Sequence, residues 1–531
     1  MNPKITQTAF FAITLSLCLG QVQAGSKTQP IRSADILVYG GTASGVVAAV
    51  QCARLGKSVF LLEPGYHLGG MSSGGLGQTD IGNKAAIGGI AREFYQRVGR
   101  EYGQAEAWKF EPHVAEKVFF DLVNEAGVEV YFLQSLGAVE RSDQRITQLT
   151  TTNGRRYRAE AFIDASYEGD LLAAAQVGYA VGRESNSVYD ETLNGIRPAT
   201  LFHQFNVPVS PYKTSRQPDS GLLPLVQADP FGPFGGGDKR VQAYNYRMVL
   251  TKDPANQRPL LPPTDYRAET FEILGRYLGM MRGLGRKPQL TELMHIQPMP
   301  GGKTDINNNG PISINLIGGS WEYPEANHEG RVRIRKAHEN YIRGFFHFLR
   351  TDPRSPQNIR EEMARWGLCR DEFADTQGWP HQIYVREARR MLSDYVMTEK
   401  NCRRVELVSD SIGLAAYTMD SHNVRRVVRN GWLENEGDVQ IGVYKPYPIS
   451  FRSIVPKVGE CENLAVSVCV SASHIAFGSI RMEPVFMVLG HSAATVACLS
   501  LDAGVPVQKL PYGTLKKKLL SDKQVLRWNQ P

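Results

Sequence analysis

The sequence predicts an α/β protein in which a parallel-sheet, nucleotide-binding domain is split by a mixed α+β insertion. Three observations predict it: a strand, glycine turn, helix, strand and acid in succession at 34–76, the loss of that rhythm between 179 and 400, and its return toward the C-terminus.

In the opening unit an apolar run at 36–39 passes into Gly40, Gly41, Thr42, Ala43, Ser44 and Gly45. Residues 46–55 read as an apolar helix stopped by Gly56, and a second strand at 58–62 ends in Glu63. Gly40 suits the tight turn out of the strand and Gly45 the close seating of helix on sheet. The helix N-terminus offers N–H groups and partial positive charge to a pyrophosphate, and Glu63 is placed to accept hydrogen bonds from a ribose diol. This makes the domain Rossmann-like. Thr42 departs from the pattern, which wants glycine where backbone approaches the phosphates.

The first part of this domain, 34–178, continues with a glycine-rich loop at 65–80. Gly69, Gly70 and Met71 lie in it, and it reads as backbone brought close to a flat ligand with Leu68, Met71 and Leu76 buried beneath. Helices follow at 89–102 and 112–126, the second closed by Gly127. Short strands at 128–132, 137–141, 146–152 and 156–158 form a meander, a strand at 161–166 rejoins the parallel sheet, and a helix follows at 168–176.

The insertion, 179–400, reads as a substrate or cap domain with Pro-rich connectors, a strand at 241–250 and helices at 331–349 and 382–396. In the latter, Val385, Ala388, Leu392 and Tyr395 share a face, with Arg386, Arg389 and Arg390 on its flanks. Asp305 opens a stretch resembling a calcium loop, but its twelfth position is Leu316 rather than a bidentate glutamate, so no metal is expected.

The returning part of the cofactor domain, 401–520, holds a buried strand at 464–470, then His474, a turn at Gly478, Met482, and an apolar helix opened by Glu483 and Pro484. Such a returning helix N-terminus stabilises negative charge on a reduced isoalloxazine ring, which narrows the nucleotide from NAD or FAD to FAD.

Composition agrees with a soluble α/β protein rich in turns: 531 residues, 42% hydrophobic, 21% charged, a modest net charge of +7 with scattered lysines and arginines, and 51 glycines. Nucleic acid is not an expected partner. Residues 1–24 read as a secretory signal peptide with cleavage before Gly25, which predicts a periplasmic or secreted protein. No later segment reads as a membrane span. Without Cys18, six cysteines remain in no zinc spacing. Cys52, Cys469 and Cys498 read as buried thiols, and two of Cys369, Cys402 and Cys461 are available for a disulfide.

The glycine turn with Glu63, the run from His67 to Met71, Ala165-Ser166-Tyr167-Glu168-Gly169-Asp170 and Gly478-Ser479-Ile480-Arg481-Met482-Glu483-Pro484 together resemble the FAD-dependent oxidoreductase family of glutathione-reductase-type flavoproteins. The resemblance covers nearly the whole chain beyond residue 24. It implies bound FAD, with Val139 and Asp164 joining the turn, loop and C-terminal residues in the cofactor site. It also implies a substrate domain distantly similar to those of fumarate-reductase and succinate-dehydrogenase flavoproteins. Thr at position 42 is common in that family, and some of its members carry a xanthan lyase label.

Hydride transfer to a flavin needs a base, charge stabilisation and a polar pocket. His474, after the strand that should end at the ring, is the leading acid/base candidate. His422, beside Asp420, is the second. Arg452 and Arg386 are candidates to clamp a carboxylate or sugar hydroxyls, and His67 lies near the loop. The expected reaction is dehydrogenation of a small hydroxylated molecule, a sugar or hydroxy acid, with electrons leaving to oxygen, a quinone or a cytochrome. The alternatives are a reductase of an unsaturated acid and a carbohydrate-binding or lyase-like protein with structural FAD.

Overall fold

The computed structural model describes residues 30–528, so the expected signal peptide lies outside the described residues. Strand β1 (Arg32–Tyr39), helix α1 (Ala43–Arg54) and strand β2 (Val59–Glu63) form the expected unit, with β1 and β2 parallel. Helices α2 (Gly89–Glu101) and α3 (Pro112–Ala126) follow, and Gly127 closes α3 in the left-handed region at φ 68°. Strands β3 (Glu129–Phe132), β4 (Leu136–Ser142), β5 (Arg145–Thr151) and β6 (Arg156–Asp164) complete a sheet of order β3-β2-β1-β6-β5-β4.

One strand replaces two expected ones. The runs at 156–158 and 161–166 are joined in β6, which pairs in parallel with β1 from Arg32↔Tyr157 to Tyr39↔Asp164. On its other edge, β6 first meets β5 in antiparallel fashion and then Leu464–Val466 in parallel. The C-terminal part thus rejoins the sheet at the end of β6 that faces the glycine turn.

Helix Glu483–Ala503 is mostly apolar and buried and lies against α1, where a Cβ on Gly490 would stand 2.2 Å from the Ser44 carbonyl oxygen. It is long and apolar enough to cross a membrane, contrary to the expectation that no segment is, yet 89% of its most apolar window is buried inside the protein. Hydropathy here reports a core helix packed between α1, α2 and the sheet.

Within the insertion, Met294–Pro298, Lys303–Asn308, Met248–Thr251, Gly367–Cys369 and Gln257–Arg258 form a five-stranded antiparallel sheet, and the long helix His328–Thr351 packs on helix Gln357–Ala364. The strand read at 241–250 is regular only from Met248, its earlier residues being buried without ladder bonds. Residues 382–396 correct the sequence reading: they are not helical but irregular, with only Arg390–Met391 in a strand. Tyr384 N donates to Asn245 O, Met391 N to Cys469 O and Leu392 N to Gly178 O, so this backbone is satisfied by three other segments. Arg389 and Arg390 spread to acids on opposite sides, Asp170 and Glu184. Asp305 lies in a strand and binds Arg247, not a metal loop. The six described cysteines are all free and buried, so Cys369, Cys402 and Cys461 form no disulfide.

Candidate active site

Two cavities lie on either side of residues 382–384. Gln382 and Ile383 line the first, of about 690 Å³, and Tyr384 lines the second, of about 560 Å³. The segment therefore forms a partition between them.

The first cavity is framed by backbone. Gly40 turns at φ 101°, and a Cβ on Gly45 would lie 1.8 Å from the Gly40 carbonyl oxygen, so only glycine lets α1 start this close to the sheet. Thr42 explains its departure from the glycine pattern. Its hydroxyl donates to Ala165 O at 2.8 Å and accepts from Gly45 N at 3.2 Å, capping α1 and pinning it to the end of β6. Ser44 Oγ reaches Ser467 Oγ at 2.8 Å, tying the same turn to the returning segment. Glu63 accepts from Gly41 N at 2.7 Å and Gly65 N at 2.5 Å, and burial pushes its carboxyl up to about 7 against those amides.

The glycine-rich loop is buried rather than loose. Cβ atoms on Gly69 and Gly70 would meet the Phe119 ring and the Tyr167 hydroxyl at 2.3 and 2.2 Å. Tyr167 OH accepts from Met71 N and donates to Glu483 at the N-terminus of the buried helix, 2.8 and 2.7 Å away. A glycine cradle, an open helix N-terminus, an acid at the end of β2 and the cationic side chains of Arg331, Arg335 and Arg389 on the far wall fit the dinucleotide that the sequence resemblance implies.

Of the residues assigned to the cofactor, Gly40, Gly41, Thr42, Glu63 and Gly70 line this cavity, while Ala43, Ser44, Gly45, Gly69 and Met71 build its frame. Val139 does not reach the wall. It sits opposite Leu149 and packs in the core beneath, and Leu136 and Gly137 line the cavity instead. Asp164 is fully buried and accepts from Ser166 N, Ser166 Oγ and Leu172 N, holding the turn after β6. Gly478 lies inside helix His474–Ile480, where a Cβ would stand 2.4 Å from Asp420 O. Its role is to let that helix approach the second cavity. Met482 lines the second cavity.

That second cavity is polar. Asp80, Arg247, Gln297, Asn307, Asn308, Tyr384, Tyr417, Asp420, His203 and His422 face it. His422 is buried, with Nε2 3.3 Å from Asp420 Oδ2 and Nδ1 3.1 Å from Asn315 Nδ2. Since the Asn315 amide nitrogen donates, Nδ1 carries the lone pair and Nε2 the proton shared with Asp420. Burial, then Arg386, push the imidazole down to about 3 against the pull of Asp420, leaving it neutral at pH 7. Burial works to raise Asp420, but His422 and Arg481 hold it below the ordinary carboxylate range. Arg481 reaches Asp420 Oδ2 at 2.7 Å and the Tyr384 hydroxyl at 3.1 Å.

The four catalytic candidates separate. His422 lines the polar cavity, and Arg386 stands over the Tyr384 ring at 4.6 Å. His474 lines neither cavity. It is 2% exposed, with Nδ1 on Glu387 at 2.7 Å, and Gln242 links that carboxylate to the His422 amide. Its place is one layer behind His422. Arg452 is a surface residue paired with Asp410 at 3.0 Å, its side chain 47% exposed. His67 lines the first cavity, stacked on His381 at 3.8 Å and bonded to Glu116 and Asp375.

Sequence reasoning missed Arg247, Arg481, Asn307 and Tyr384 as a group. The available signal was an arginine inside the apolar run at 241–250 and an acid, Asp305, that forms its bidentate partner at 2.8 and 2.6 Å. Elsewhere Glu111, His113 and Glu372 are close enough to share a metal. The Lys303 ammonium already lies 2.7 Å from both glutamates.

Comparisons with known proteins add a family. No match was found among curated proteins. Solved structures match over part of their length: an L-amino acid deaminase from Proteus vulgaris (15% identity, 31% of this chain and 55% of that one, TM-score 0.23), a 3-ketosteroid dehydrogenase from Rhodococcus jostii RHA1 (14%, 29% and 50%, 0.20) and a thioredoxin reductase from T. acidophilum (19%, 25% and 35%, 0.18). The chain spans only 38–50% of the first three solved chains it matches, and likeness at this level carries nothing about substrate. From residue 35 to residue 519 the sequence matches the family described as FAD dependent oxidoreductase, and the chain belongs to that family: it is an enzyme that uses FAD.

Proposed function

We propose that this flavoenzyme dehydrogenates a small hydroxylated molecule held in the polar cavity, with His422 as the base. The observation that carries the reading is a buried, neutral imidazole braced by an aspartate in a cavity that shares one wall with the cofactor cavity. Bound FAD supplies a two-electron acceptor for the hydride leaving the substrate carbon. The chain's own residues do the rest. Asn307, Asn308 and Gln297 orient hydroxyls, and the hydroxyl proton passes to His422 Nδ1 as the carbonyl product forms, the Asn315 amide giving up its hydrogen bond to that nitrogen. Asp420 stabilises the imidazolium, and Arg481 fixes Asp420.

The reading includes export, with residues 1–24 removed, and discharge of electrons to oxygen, a quinone or a cytochrome. One observation favours the reverse reaction, reduction of an unsaturated acid: Arg247 lines this cavity, and two more buried arginines, Arg386 and Arg481, stand against the Tyr384 ring that lines it. Anaerobic mixing of the FAD-loaded enzyme with a panel of sugars and hydroxy acids separates the two. Bleaching of the visible flavin band by a panel member supports dehydrogenation. Bleaching by dithionite alone, with recovery on adding fumarate, supports the reductase. N-terminal sequencing of the exported protein, with Gly25 first, tests the localisation.

A further inference from the structure

Asp80 is a carboxylate that opens on the polar cavity and is short of donors. It lines that cavity, and its side chain is 24% exposed. Oδ1 accepts from the Tyr417 hydroxyl at 3.3 Å, while Oδ2 accepts no hydrogen bond from the described residues and stands 3.8 Å from Arg247 Nη1. Arg247 spends its hydrogen bonds elsewhere, Nε and Nη2 on Asp305 at 2.8 and 2.6 Å and Nη2 also on Gln297 Oε1 at 3.1 Å. Burial pushes the Asp80 carboxyl above the ordinary carboxylate range, with Arg247 pulling the other way. A carboxylate oxygen in this condition gains from any donor that a ligand brings.

Amide donors stand beside it. The guanidinium that faces Asp80 through Nη1 holds Gln297 through Nη2, so the two side chains sit on neighbouring atoms of one planar group. Because arginine only donates, it takes the Gln297 oxygen and leaves the Nε2 amide to point elsewhere. Asn307 is oriented in the same way, its Oδ1 accepting from Asn308 N at 2.9 Å and from Asn245 Nδ2 at 3.3 Å. Both residues line the cavity, and among the described residues neither amide nitrogen has an acceptor. An acceptor beside donors is the complement of a hydroxyl, which gives one hydrogen bond and takes others.

Charge selects among hydroxylated ligands. Asp80, Glu292 and Asp420 line the cavity, and each already has a cation behind it: Arg247, Arg286 at 3.4 Å and Arg481 at 2.7 Å. No acid is left over for an ammonium group. Arg247 is the one lysine or arginine in the lining, and its hydrogen bonds are taken, so no cation is open to a carboxylate.

The geometry points to a neutral polyol, a sugar or sugar alcohol, as the ligand of the polar cavity, its hydroxyls donating to Asp80 and accepting from the Gln297 and Asn307 amides. This rests on the hydroxyl-oxidising reading of the same cavity and chooses its substrate class. Asp80 is then a specificity-determining residue, since an acid in the cavity would meet a like charge with no open cation to offset it.

The test uses the FAD-loaded enzyme and two sets of probes that differ only in one terminal group: sorbitol, gluconate and glucamine, and glycerol, glycerate and 3-aminopropane-1,2-diol. Calorimetry reads binding, and anaerobic flavin bleaching reads reaction. In at least one set the neutral polyol should bind about 10-fold or more tightly than the acid and the amine. Asp80→Asn should weaken that polyol on the order of 10–100-fold with flavin content unchanged. If the neutral member is the tightest binder in neither set, the inference is overturned, as it is by an Asp80→Asn enzyme that holds the polyol at native strength. The native comparison needs no variant, so a misfolded Asp80→Asn leaves it decisive. Bleaching by the acids alone overturns the polyol assignment while leaving hydroxyl oxidation standing. Asp80-dependent binding of a polyol that never bleaches the flavin upholds the polyol site and removes the hydroxyl-oxidising reading.

Discussion

The two cavities are built by different means. The cofactor cavity combines backbone from short contiguous runs, the turn at Gly40, Gly41 and Thr42 and the loop at Gly70, with Glu63 at the end of β2 and the charged side chains of Asp170, Arg331, Arg335 and Arg389. The polar cavity is walled by side chains from at least seven separate stretches, among them Asp80, His203, Arg247, Asn308, Tyr384, Asp420 and Met482. Burial acts on both and leaves opposite marks. It lifts Glu63 to about 7, whereas around His422 it depresses a base while Asp420 and Arg481 stay charged as a pair. A cradle for a large fixed ligand needs close backbone approach, and a site for chemistry needs charges held in place.

That contrast breaks most sharply at Gly45. A Cβ there would stand 1.8 Å from Gly40 O, backbone against backbone, so Gly45→Val should abolish FAD retention. The flavin-to-protein absorbance ratio of the purified variant measures it, and a flavin-replete variant would refute the cradle.

A smaller effect is expected from pH. A free carboxyl at about 7 must lose its proton to accept ribose hydroxyls, so FAD should bind about ten-fold more weakly at pH 6 than at pH 8. The sign follows from the direction of the shift: protonation competes with binding below the raised pKa and ceases above it. Glu63→Gln should flatten that dependence in a fluorescence titration. The smallest effect is expected at Arg452, whose exposed pairing with Asp410 lies away from both cavities. Arg452→Ala should change flavin reduction by less than about two-fold and stability by about 0–1 kcal/mol, read by stopped-flow bleaching and thermal melts.

The difference in construction also decides what the sequence reveals. Gly40, Gly45 and Glu63 act through local spacing, so the turn, α1 and the acid at the end of β2 are readable directly, as are α2, α3 and the core helix at Glu483–Ala503. Thr42 reads as an irregularity until Ala165 O is seen to accept from its hydroxyl. Residues 382–396 carry helical periodicity, yet Gln382 is pressed against Gly74 and the backbone bonds to Asn245, Gly178 and Cys469. Tertiary partners outweighed local pattern there. The same long-range packing hid the polar cavity, since nothing in the sequence brings Arg247, Asp420 and Tyr384 together. Sequence order favours His474 as the base, since it follows the strand that enters the sheet, but Glu387 holds it one layer back.

The division of labour between the cavities is tested most directly by single-turnover flavin reduction in His422→Gln, compared with the native enzyme at equal flavin content and with the same hydroxylated substrate. The account predicts unchanged FAD affinity and reduction slowed by about 10²–10⁴-fold. Reduction at the native rate with FAD fully bound would contradict it.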